Sequence, residues 1–327
     1  MKAVIAKQPG GAEQLVYQEM PGPTMSDKDV LIDVYASAVN RTDILNREGK
    51  SGYAENPIIG IEVAGEVADP NGHSHWKKGD RIMGLVNGGA YAEQVVMPAD
   101  RVIPIPDRLS FEEAAAIPEV FLTAFQTLYW IGDLQRSEKV LIHAGASGVG
   151  TAAIQLARVL SDAEIFTTAG TAEKLAYCKQ LGANETIPYK EVDFADVITK
   201  ITDGEGVSLI LDFVGASYWQ KNMQSIAVDG RWVLIGVLGG SKVEQISLMD
   251  VMAKRIQLTG TLLTPRSDAY KARLTRDFIE RALPYMEQGK LQPVIDTVYP
   301  IEEVADAHRH MEANKNIGKL ILQVRTS

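Results

Sequence analysis

The segment from Lys139 to Arg158 contains the residues whose types and spacing most clearly predict chemistry. An apolar run, Lys139–Ala144, leads into a glycine-rich turn that ends at Gly150, and an apolar pattern with helical spacing follows. This order predicts a phosphate-binding cradle, because backbone N–H groups of the first helical turn point at an anion and glycine lets the backbone approach it. Read against the G-x-G-x-x-G pattern, Gly145 and Gly150 are the outer glycines and Ser147 replaces the middle one.

The same residues nearly match the G-x-S-x-G elbow of serine hydrolases, which is also a strand-to-helix turn. In that alternative Ser147 would be the nucleophile, but Val149 stands where the last glycine belongs. No suitable pair of Asp and His follows, because His308 and His310 lie in a charged segment with a helical pattern. The dinucleotide site is therefore the preferred interpretation.

The residues after the second predicted strand indicate which dinucleotide binds. An NAD site places Asp or Glu at the end of this strand, where it binds the ribose 2′-hydroxyl. Here Glu164–Thr168 is followed by Ala169, Gly170 and Thr171, without a carboxylate. Thr171 is suited to cap the next helix, and Lys174 lies one turn inside it. Backbone donors, the helix dipole and an ammonium group favour the 2′-phosphate of NADPH, and a solvated surface lysine is the alternative.

Composition limits the classes of protein and partner. The chain has 327 residues, enough for two domains, and 46% hydrophobic and 23% charged residues are ordinary for a soluble protein. A net charge of −9 without a basic cluster argues against nucleic acid or a membrane surface as a partner. The opening residues do not resemble a signal peptide, and no apolar run reaches membrane-spanning length. A cytoplasmic protein is expected.

The cysteine and histidine residues do not predict a metal site. Cys178 is the only cysteine, which excludes an internal disulfide, and its helical neighbours predict a buried, inert thiol. Two H-x-H pairs, His73/His75 and His308/His310, lack a surrounding cluster of ligands and are expected at the surface. His143 ends the first nucleotide-binding strand and is expected to pack behind the site.

The elements that position these residues form two groups. Residues 1–110 alternate short β-type runs with turns, which predicts a partly closed β-domain. The helical crossovers that follow predict an α/β fold with a doubly wound parallel sheet and a ligand site at the carboxyl ends of its strands. A long helix near Ser267–Gly289 and a final strand, Gly318–Val324, have no place in that sheet and are expected to return to the first domain. The six strands predicted for the sheet are Lys139–Ala144, Glu164–Thr168, Glu185–Ile187, Val207–Asp212, Arg231–Ile235 and Ile256–Leu262.

Five segments together resemble one known family over nearly the whole chain: LIHAGASGVGTAAIQLAR, AAAIPEVFLTAFQTL, LILDFVGASYWQKN, DGRWVLIG and MEANKNIGK. The chain resembles the zinc-free quinone oxidoreductases of the medium-chain dehydrogenase/reductase superfamily, in the zeta-crystallin-like branch. The resemblance implies a β-rich GroES-like catalytic domain over residues 1–120 and 265–327. It implies a six-stranded Rossmann nucleotide-binding domain over residues 121–264, NADPH as cofactor, and a homodimer.

The resemblance also bears on zinc. Asn40 stands where zinc alcohol dehydrogenases carry their first catalytic cysteine, and Ile61 stands where they carry a zinc-binding histidine. Neither an amide nor a hydrocarbon side chain supplies the donors that zinc prefers, and one cysteine excludes a four-cysteine structural lobe. No metal is expected. Hydrogen bonds must then polarise the substrate, and Asn40 and Tyr53 are the expected catalytic donors.

Further residues are assigned to the cofactor by this resemblance. Thr123 is expected near the nicotinamide carboxamide, and the turn from Gly236 to Gly239 and the segment Leu262–Thr264 flank the nicotinamide ring. Asn316 is expected to approach the cofactor from the other domain. A purely structural role is the alternative for three residues: Thr123 would satisfy a helix carbonyl, Tyr189 would pack as a strand-end aromatic, and Asn40 would be a turn residue. The full expected set is Thr123, Gly145, Ser147, Gly148, Val149, Gly150, Gly170, Lys174, Tyr189, Gly236, Leu238, Leu263 and Asn316.

The expected activity is zinc-independent transfer of a hydride or electrons from NADPH to a quinone. Two alternatives stay open, namely reduction of activated C=C bonds in enals or enoyl thioesters, and a non-enzymatic role as an NADPH-binding sensor. The sixth strand, Ile256–Leu262, is apolar yet lies at a sheet edge, so pairing across a two-fold axis is expected to form the dimer.

Overall fold

A computed structural model describes residues 1–50 and 56–326. The chain divides into two compact units, one comprising Met1–Leu122 with Thr264–Ser327 and the other Thr123–Leu263. The expected catalytic residue Tyr53 lies outside the described residues.

The first unit begins with a β-rich region, as the density of short apolar runs predicts. Strand β3 is its centre: along its first eight residues half-buried and buried side chains alternate, as in a strand with one face toward a core. It pairs antiparallel with β4 and β6. The strands are β1 Lys2–Ala6, β2 Leu15–Glu19, β3 Asp29–Ala38, β4 Glu62–Asp69, β5 Arg81–Leu85, β6 Gln94–Pro98 and β7 Ile103–Pro104. The helices are α1 Arg41–Arg47, α2 Phe111–Ala115 and α3 Pro118–Phe125, and the chain enters the second unit within α3.

The second unit is a parallel sheet with helical crossovers, which confirms the predicted α/β fold. Residues 123–263 are all described, and their six strands follow the order β10-β9-β8-β11-β12-β13. The strands are β8 Lys139–Ile142, β9 Glu164–Ala169, β10 Glu185–Pro188, β11 Val207–Asp212, β12 Ile226–Leu234 and β13 Gln257–Gly260. The helices are α4 Gly148–Ser161, α5 Ala172–Gln180, α6 Phe194–Ile201, α7 Trp219–Ser225 and α8 Leu248–Lys254.

Several strand boundaries differ from the prediction, and the backbone conformation bears on two of them. Strand β8 ends at Ile142 because Ala144 has a φ of +50°, a left-handed conformation that cannot continue a strand. Strand β12 begins at Ile226, five residues before the predicted start at Arg231. Asp229, with a φ of +62°, and Gly230 lie inside the strand, although Asp-Gly is typical of a turn.

The C-terminal part of the chain completes the first unit. Strand β15 pairs antiparallel with β3 and parallel with β14. The expected long helix is two helices, because Pro284 has no N–H to continue the hydrogen-bond ladder across the break at Ala282. The elements are α9 Asp268–Arg281, α10 Leu283–Glu287, β14 Ile295–Pro300, α11 Val304–Glu312 and β15 Lys319–Gln323. In the part of the chain that is described, none of the helices has the length and apolar character to span a bilayer.

Candidate functional site

The glycine turn of the second unit has the local geometry of a phosphate cradle. Helix α4 starts directly after Ser147, whose Oγ accepts a hydrogen bond from the Gly150 N–H at 3.1 Å. The serine therefore caps the helix while its hydroxyl hydrogen stays available for another acceptor. As in any α-helix, the first N–H groups, here those of Gly148 and Val149, have no partner inside the helix. Such free N–H groups are suited to bind an anion, here at the carboxyl end of β8.

The two outer glycines of the motif are required by space. A Cβ atom on Gly150 would overlap the carbonyl oxygen of Ala144, and one on Gly145 would overlap the Thr167 hydroxyl. The turn is closed tightly against β9, and only Ser147 has room for a side chain among these three motif positions. The residues present therefore fit a dinucleotide pyrophosphate, with the serine hydroxyl in place of the usual middle glycine.

A second candidate anion site lies at the carboxyl end of β9. Thr171 caps α5, its Oγ1 accepting from the Lys174 N–H at 3.3 Å, as the sequence predicts. A Cβ atom built on Gly170 would lie 3.2 Å from the Tyr189 hydroxyl oxygen and 3.1 Å from Cε of Lys190. The structure thus brings the expected residues Gly170 and Tyr189 together. It adds Lys190, which the sequence analysis missed although it directly follows Tyr189.

A buried hydrogen-bond chain supports these strand ends from behind. The Asn222 amide nitrogen donates to Asp212 at 3.1 Å, which turns the amide oxygen toward Nε2 of His143 at 2.7 Å. His143 therefore carries its proton on Nε2, and Nδ1 accepts from the Thr168 hydroxyl at 3.0 Å. Burial lowers the pKa of His143, so the ring is neutral. These hydrogen bonds join the carboxyl ends of β8, β9 and β11 next to the glycine turn. This position is consistent with the expectation that His143 packs behind the site.

The remaining expected residues of the second unit lie at two loop segments and one helix. Gly236 follows β12, and its N–H donates to the Asp212 carbonyl at 3.2 Å. Leu238 is exposed in the same turn, and Leu263 is half-buried after the neighbouring strand β13. Both segments leave the sheet at its carboxyl edge. Thr123 is buried in α3, and its carbonyl accepts from the Thr127 hydroxyl at 2.8 Å.

Cys178 behaves as the sequence predicts. Its side chain is fully buried on α5, and burial raises the pKa of the thiol to about 12. The thiolate form is therefore negligible at neutral pH, and Cys178 is a packing residue.

The first unit contains a buried ion pair joined to Asn40. Glu62, fully buried, and Lys319, only 3% exposed, are ion-paired. The Lys319 ammonium also donates to Oδ1 of Asn40 at 2.7 Å, and the Asn40 amide nitrogen donates to Oε1 of Glu62 at 2.8 Å. The second carboxylate oxygen of Glu62 accepts from the backbone N–H of Glu119 at 2.8 Å. Each charge is thus met by an opposite charge and by hydrogen bonds, which a buried ion pair requires.

The oxygen and both N–H groups of the Asn40 side-chain amide have hydrogen-bond partners. Its nitrogen also donates to the Ala38 carbonyl at 3.3 Å, so both N–H bonds have partners within the unit. An Asn40 donor role toward a substrate stays a prediction, and it requires the exchange of one of these bonds. Glu62 and Lys319 were missed by the sequence analysis. Lys319 has a usable signal, a single charge directly before the apolar run Leu-Ile-Leu, whereas Glu62 begins a strand that also carries Glu66 and Asp69.

The expectation that His308 lies at the surface is wrong. The residue is fully buried, because α11 packs a stripe with helical spacing, Val304, Ala307, His308 and Met311, against the core. The charged residues between these positions lie on the other face of the helix, and they make the segment look solvent-exposed in the sequence. Burial and the Arg47 guanidinium lower the pKa of His308 to about 3.

His308 belongs to a second polar chain of the first unit. Its ring nitrogens lie 3.3 Å from the Arg47 guanidinium and 3.4 Å from the Tyr91 hydroxyl. The Tyr91 hydroxyl donates to Asp43 at 2.9 Å, and the same carboxyl oxygen accepts from the Asn40 backbone N–H at 2.8 Å. Burial raises the pKa of Asp43 to about 7. This chain fixes the start of α1, and with it the position of Asn40.

Asn316 lies three residues before Lys319 in the first unit. Its amide nitrogen donates to the Gly318 carbonyl at 2.8 Å, and Gly318 has a φ of +75°. Among residues 1–50 and 56–326, no three His, Cys, Asp or Glu side chains are grouped so that they could hold a metal ion.

Two family profiles match the chain. The alcohol dehydrogenase GroES-like domain matches residues 26–107, and the zinc-binding dehydrogenase family matches residues 148–280. The human quinone oxidoreductase is 32% identical over 98% of this chain and 97% of its own length. The human synaptic vesicle membrane protein VAT-1 homolog is 32% identical over 96% of this chain and 84% of its own length.

Solved structures share the fold over the full length. Mycobacterial Rv1454c, in a complex with NADPH, has a TM-score of 0.87 at 30% identity and covers 99% of this chain and 100% of its own. The CurK enoyl reductase has a TM-score of 0.87 at 29% identity, with 99% of both chains covered. The similarity thus extends through both units.

Proposed function

This chain belongs to the quinone oxidoreductases of the medium-chain dehydrogenase/reductase superfamily, and on that premise we propose that it is a zinc-independent NADPH:quinone oxidoreductase. The observation that carries the proposal is the end of β9, where Gly170 meets Tyr189 and Lys190 and no carboxylate follows the strand. Similarity to an NADPH-bound mycobacterial protein supports the choice of cofactor. A cytoplasmic location is part of the same proposal.

The second unit would hold NADPH at two anion sites. The capped start of α4, with Ser147, Gly148 and Val149, would bind the pyrophosphate between the required glycines Gly145 and Gly150. Gly170, Lys174 and Tyr189 would surround the 2′-phosphate. Contacts to the nicotinamide by Thr123, Gly236, Leu238 and Leu263, and a contact of Asn316 to the cofactor, are further parts of the proposal.

When bound, NADPH supplies a hydride to the acceptor. A quinone needs little polarisation for this reaction, because its reduced form is an aromatic, resonance-stabilised anion. The chain would therefore contribute orientation of the acceptor, exclusion of water and hydrogen bonds from Asn40 and Tyr53.

The polar residues around Asn40 do not fit a zinc ion. Zinc binds thiolate, imidazole or carboxylate donors, whereas Asn40 and Ile61 supply an amide and a hydrocarbon. The nearby Glu62 carboxylate is already paired with the Lys319 ammonium, whose positive charge would repel a second cation. We therefore propose no metal in the reaction.

Reduction of an activated C=C bond is the second candidate function, and the similarity to the CurK enoyl reductase favours it. A sensor that binds NADPH without turnover is the third. One set of measurements separates them: steady-state oxidation of NADPH and NADH with 1,4-benzoquinone, trans-2-hexenal and crotonyl-CoA.

We expect the highest kcat/KM with the quinone and NADPH, unchanged after dialysis against EDTA. A higher kcat/KM with the enal or the thioester would select the C=C reductase instead. NADPH binding with no turnover of any acceptor would select the sensor. Stoichiometric zinc in active protein, with activity lost on chelation, would refute the metal-independent mechanism.

A homodimer through the sheet edge of the second unit is also part of the proposal. Every residue of the edge strand β13 is exposed, and Leu258 on it is 43% exposed. On the preceding helix α8, Leu248, Met249 and Met252 are each about 70% exposed. Such an apolar edge favours pairing with a second copy.

Light scattering at micromolar concentration is expected to give the mass of a dimer. The double substitution Leu258→Lys and Met252→Glu should shift the protein toward monomer, because it places two charges on the apolar edge. Val192→Glu, at another exposed apolar position of the same unit, is the matched control and should leave the mass unchanged. A wild-type monomer would contradict the proposal.

A further inference from the structure

The turn after β10 presents Lys190 to the end of the neighbouring strand β9. The Glu191 N–H donates to the Pro188 carbonyl at 2.8 Å, so Tyr189 and Lys190 occupy the two central positions of a tight turn. Pro188 is paired in register with Ala169, which places the turn beside Gly170. The 3.1 Å from a Cβ built on Gly170 to Cε of Lys190 shows that the lysine side chain lies along this glycine.

We propose that Lys190 is the second cation of the 2′-phosphate site and, together with Lys174, determines the preference for NADPH. This inference rests on the proposed function, because it assigns a residue to the cofactor named there. It goes beyond the sequence analysis, which assigned Lys174 alone as a cation.

The charge of the ligand favours more than one lysine. A phosphate monoester carries about −1.5 to −2 charges at pH 7. Lys174 offers a single positive charge, which leaves part of the phosphate charge uncompensated. A second ammonium group beside Gly170 would bring the positive charge of the site close to that of a dianion and add charge-assisted hydrogen bonds.

Gly170 and the aromatic residues give Lys190 a defined place. The absence of a side chain at Gly170 leaves room for the lysine stem and the Tyr189 hydroxyl. The Tyr189 ring contacts the Tyr218 ring at 6.2 Å, and Tyr218 packs at 4.8 Å against each of His143 and Phe194, which are buried. The turn is therefore anchored to the core, although the Lys190 side chain is exposed.

The test compares two fragments of the cofactor that lack the nicotinamide, 2′,5′-ADP and 5′-AMP, by isothermal titration calorimetry on the full chain. Lys190→Met should weaken 2′,5′-ADP binding about tenfold, the typical effect of one charge-assisted hydrogen bond, and leave 5′-AMP unchanged. Lys190→Arg should retain most of the affinity. Lys174→Met combined with Lys190→Met should weaken 2′,5′-ADP more than either change alone.

Lys200→Met, which removes an exposed lysine of α6 in the same unit, is the matched control and should have no effect. If wild-type protein prefers 2′,5′-ADP and Lys190→Met does not alter that preference, the role of Lys190 is refuted and NADPH specificity stands. Equal loss of both ligands would likewise refute a specific phosphate contact. Equal wild-type affinity for the two fragments would overturn the proposed NADPH preference together with this inference.

Discussion

Replacement of Lys319 by methionine is expected to lower the free energy of unfolding by about 3–5 kcal/mol, the usual cost of leaving one partner of a buried ion pair without the other. Glu62 would keep its charge in a fully buried position, and Asn40 would lose the donor that now faces its amide oxygen. The expected result is an early transition in chemical denaturation, measured by circular dichroism, and a lower Tm. Wild-type stability of Lys319→Met would contradict the importance of this pair.

The double substitution Lys319→Met and Glu62→Gln is the matched control for the charge. Replacement of both partners of a buried ion pair by uncharged residues often changes stability little. The Tm of the double variant should therefore lie close to that of the wild type. Turnover should be low in both the single and the double variant, because the amide of Asn40 lacks the ammonium group that orients it in each. Recovery of both Tm and kcat/KM would assign the Lys319–Glu62 pair to stability alone.

The elements that could be predicted from the sequence are those that depend on neighbouring residues. The strand, glycine turn and helix around Ser147, the missing carboxylate after β9 and the Thr171 cap are all local patterns, and the structure has each of them. The break of β8 before Ala144 was missed because a left-handed alanine is not visible in a sequence.

The polar residues that were missed depend on the topology. Glu62 and Lys319 are 257 positions apart, and only the pairing of β15 with β3 and of β3 with β4 brings them together. Lys190 reaches Gly170 because β10 lies next to β9 in the sheet. The spacing of one segment does not contain such contacts, although the single charge of Lys319 before an apolar run is a usable signal for a buried ionic partner.

Substitution of Ser147 by valine is expected to abolish measurable NADPH binding, while Ser147→Gly should weaken it about 30-fold or less. The structure gives the serine two tasks: its oxygen accepts from the Gly150 N–H, and its hydroxyl hydrogen is left for a phosphate oxygen. Valine removes both and adds a branched side chain where the pyrophosphate must approach the backbone. Glycine is a tolerated cap, so it loses only the hydroxyl contact, about 1–2 kcal/mol.

Fluorescence titration measures the dissociation constant of NADPH for Ser147→Val and for Ser147→Gly. A substitution at a second serine cap distinguishes an effect on binding from an effect on helix stability. Ser267 caps α9 in the first unit, where its Oγ accepts from the Tyr270 N–H at 3.3 Å. Ser267→Val should lower the Tm by an amount similar to Ser147→Val, since each loses a cap worth about 1 kcal/mol, yet bind NADPH normally. If Ser147→Val binds NADPH with the wild-type dissociation constant, the pyrophosphate does not lie on the start of α4. The glycine turn would then have only a structural role, because its tight closure against β9 does not by itself require a ligand.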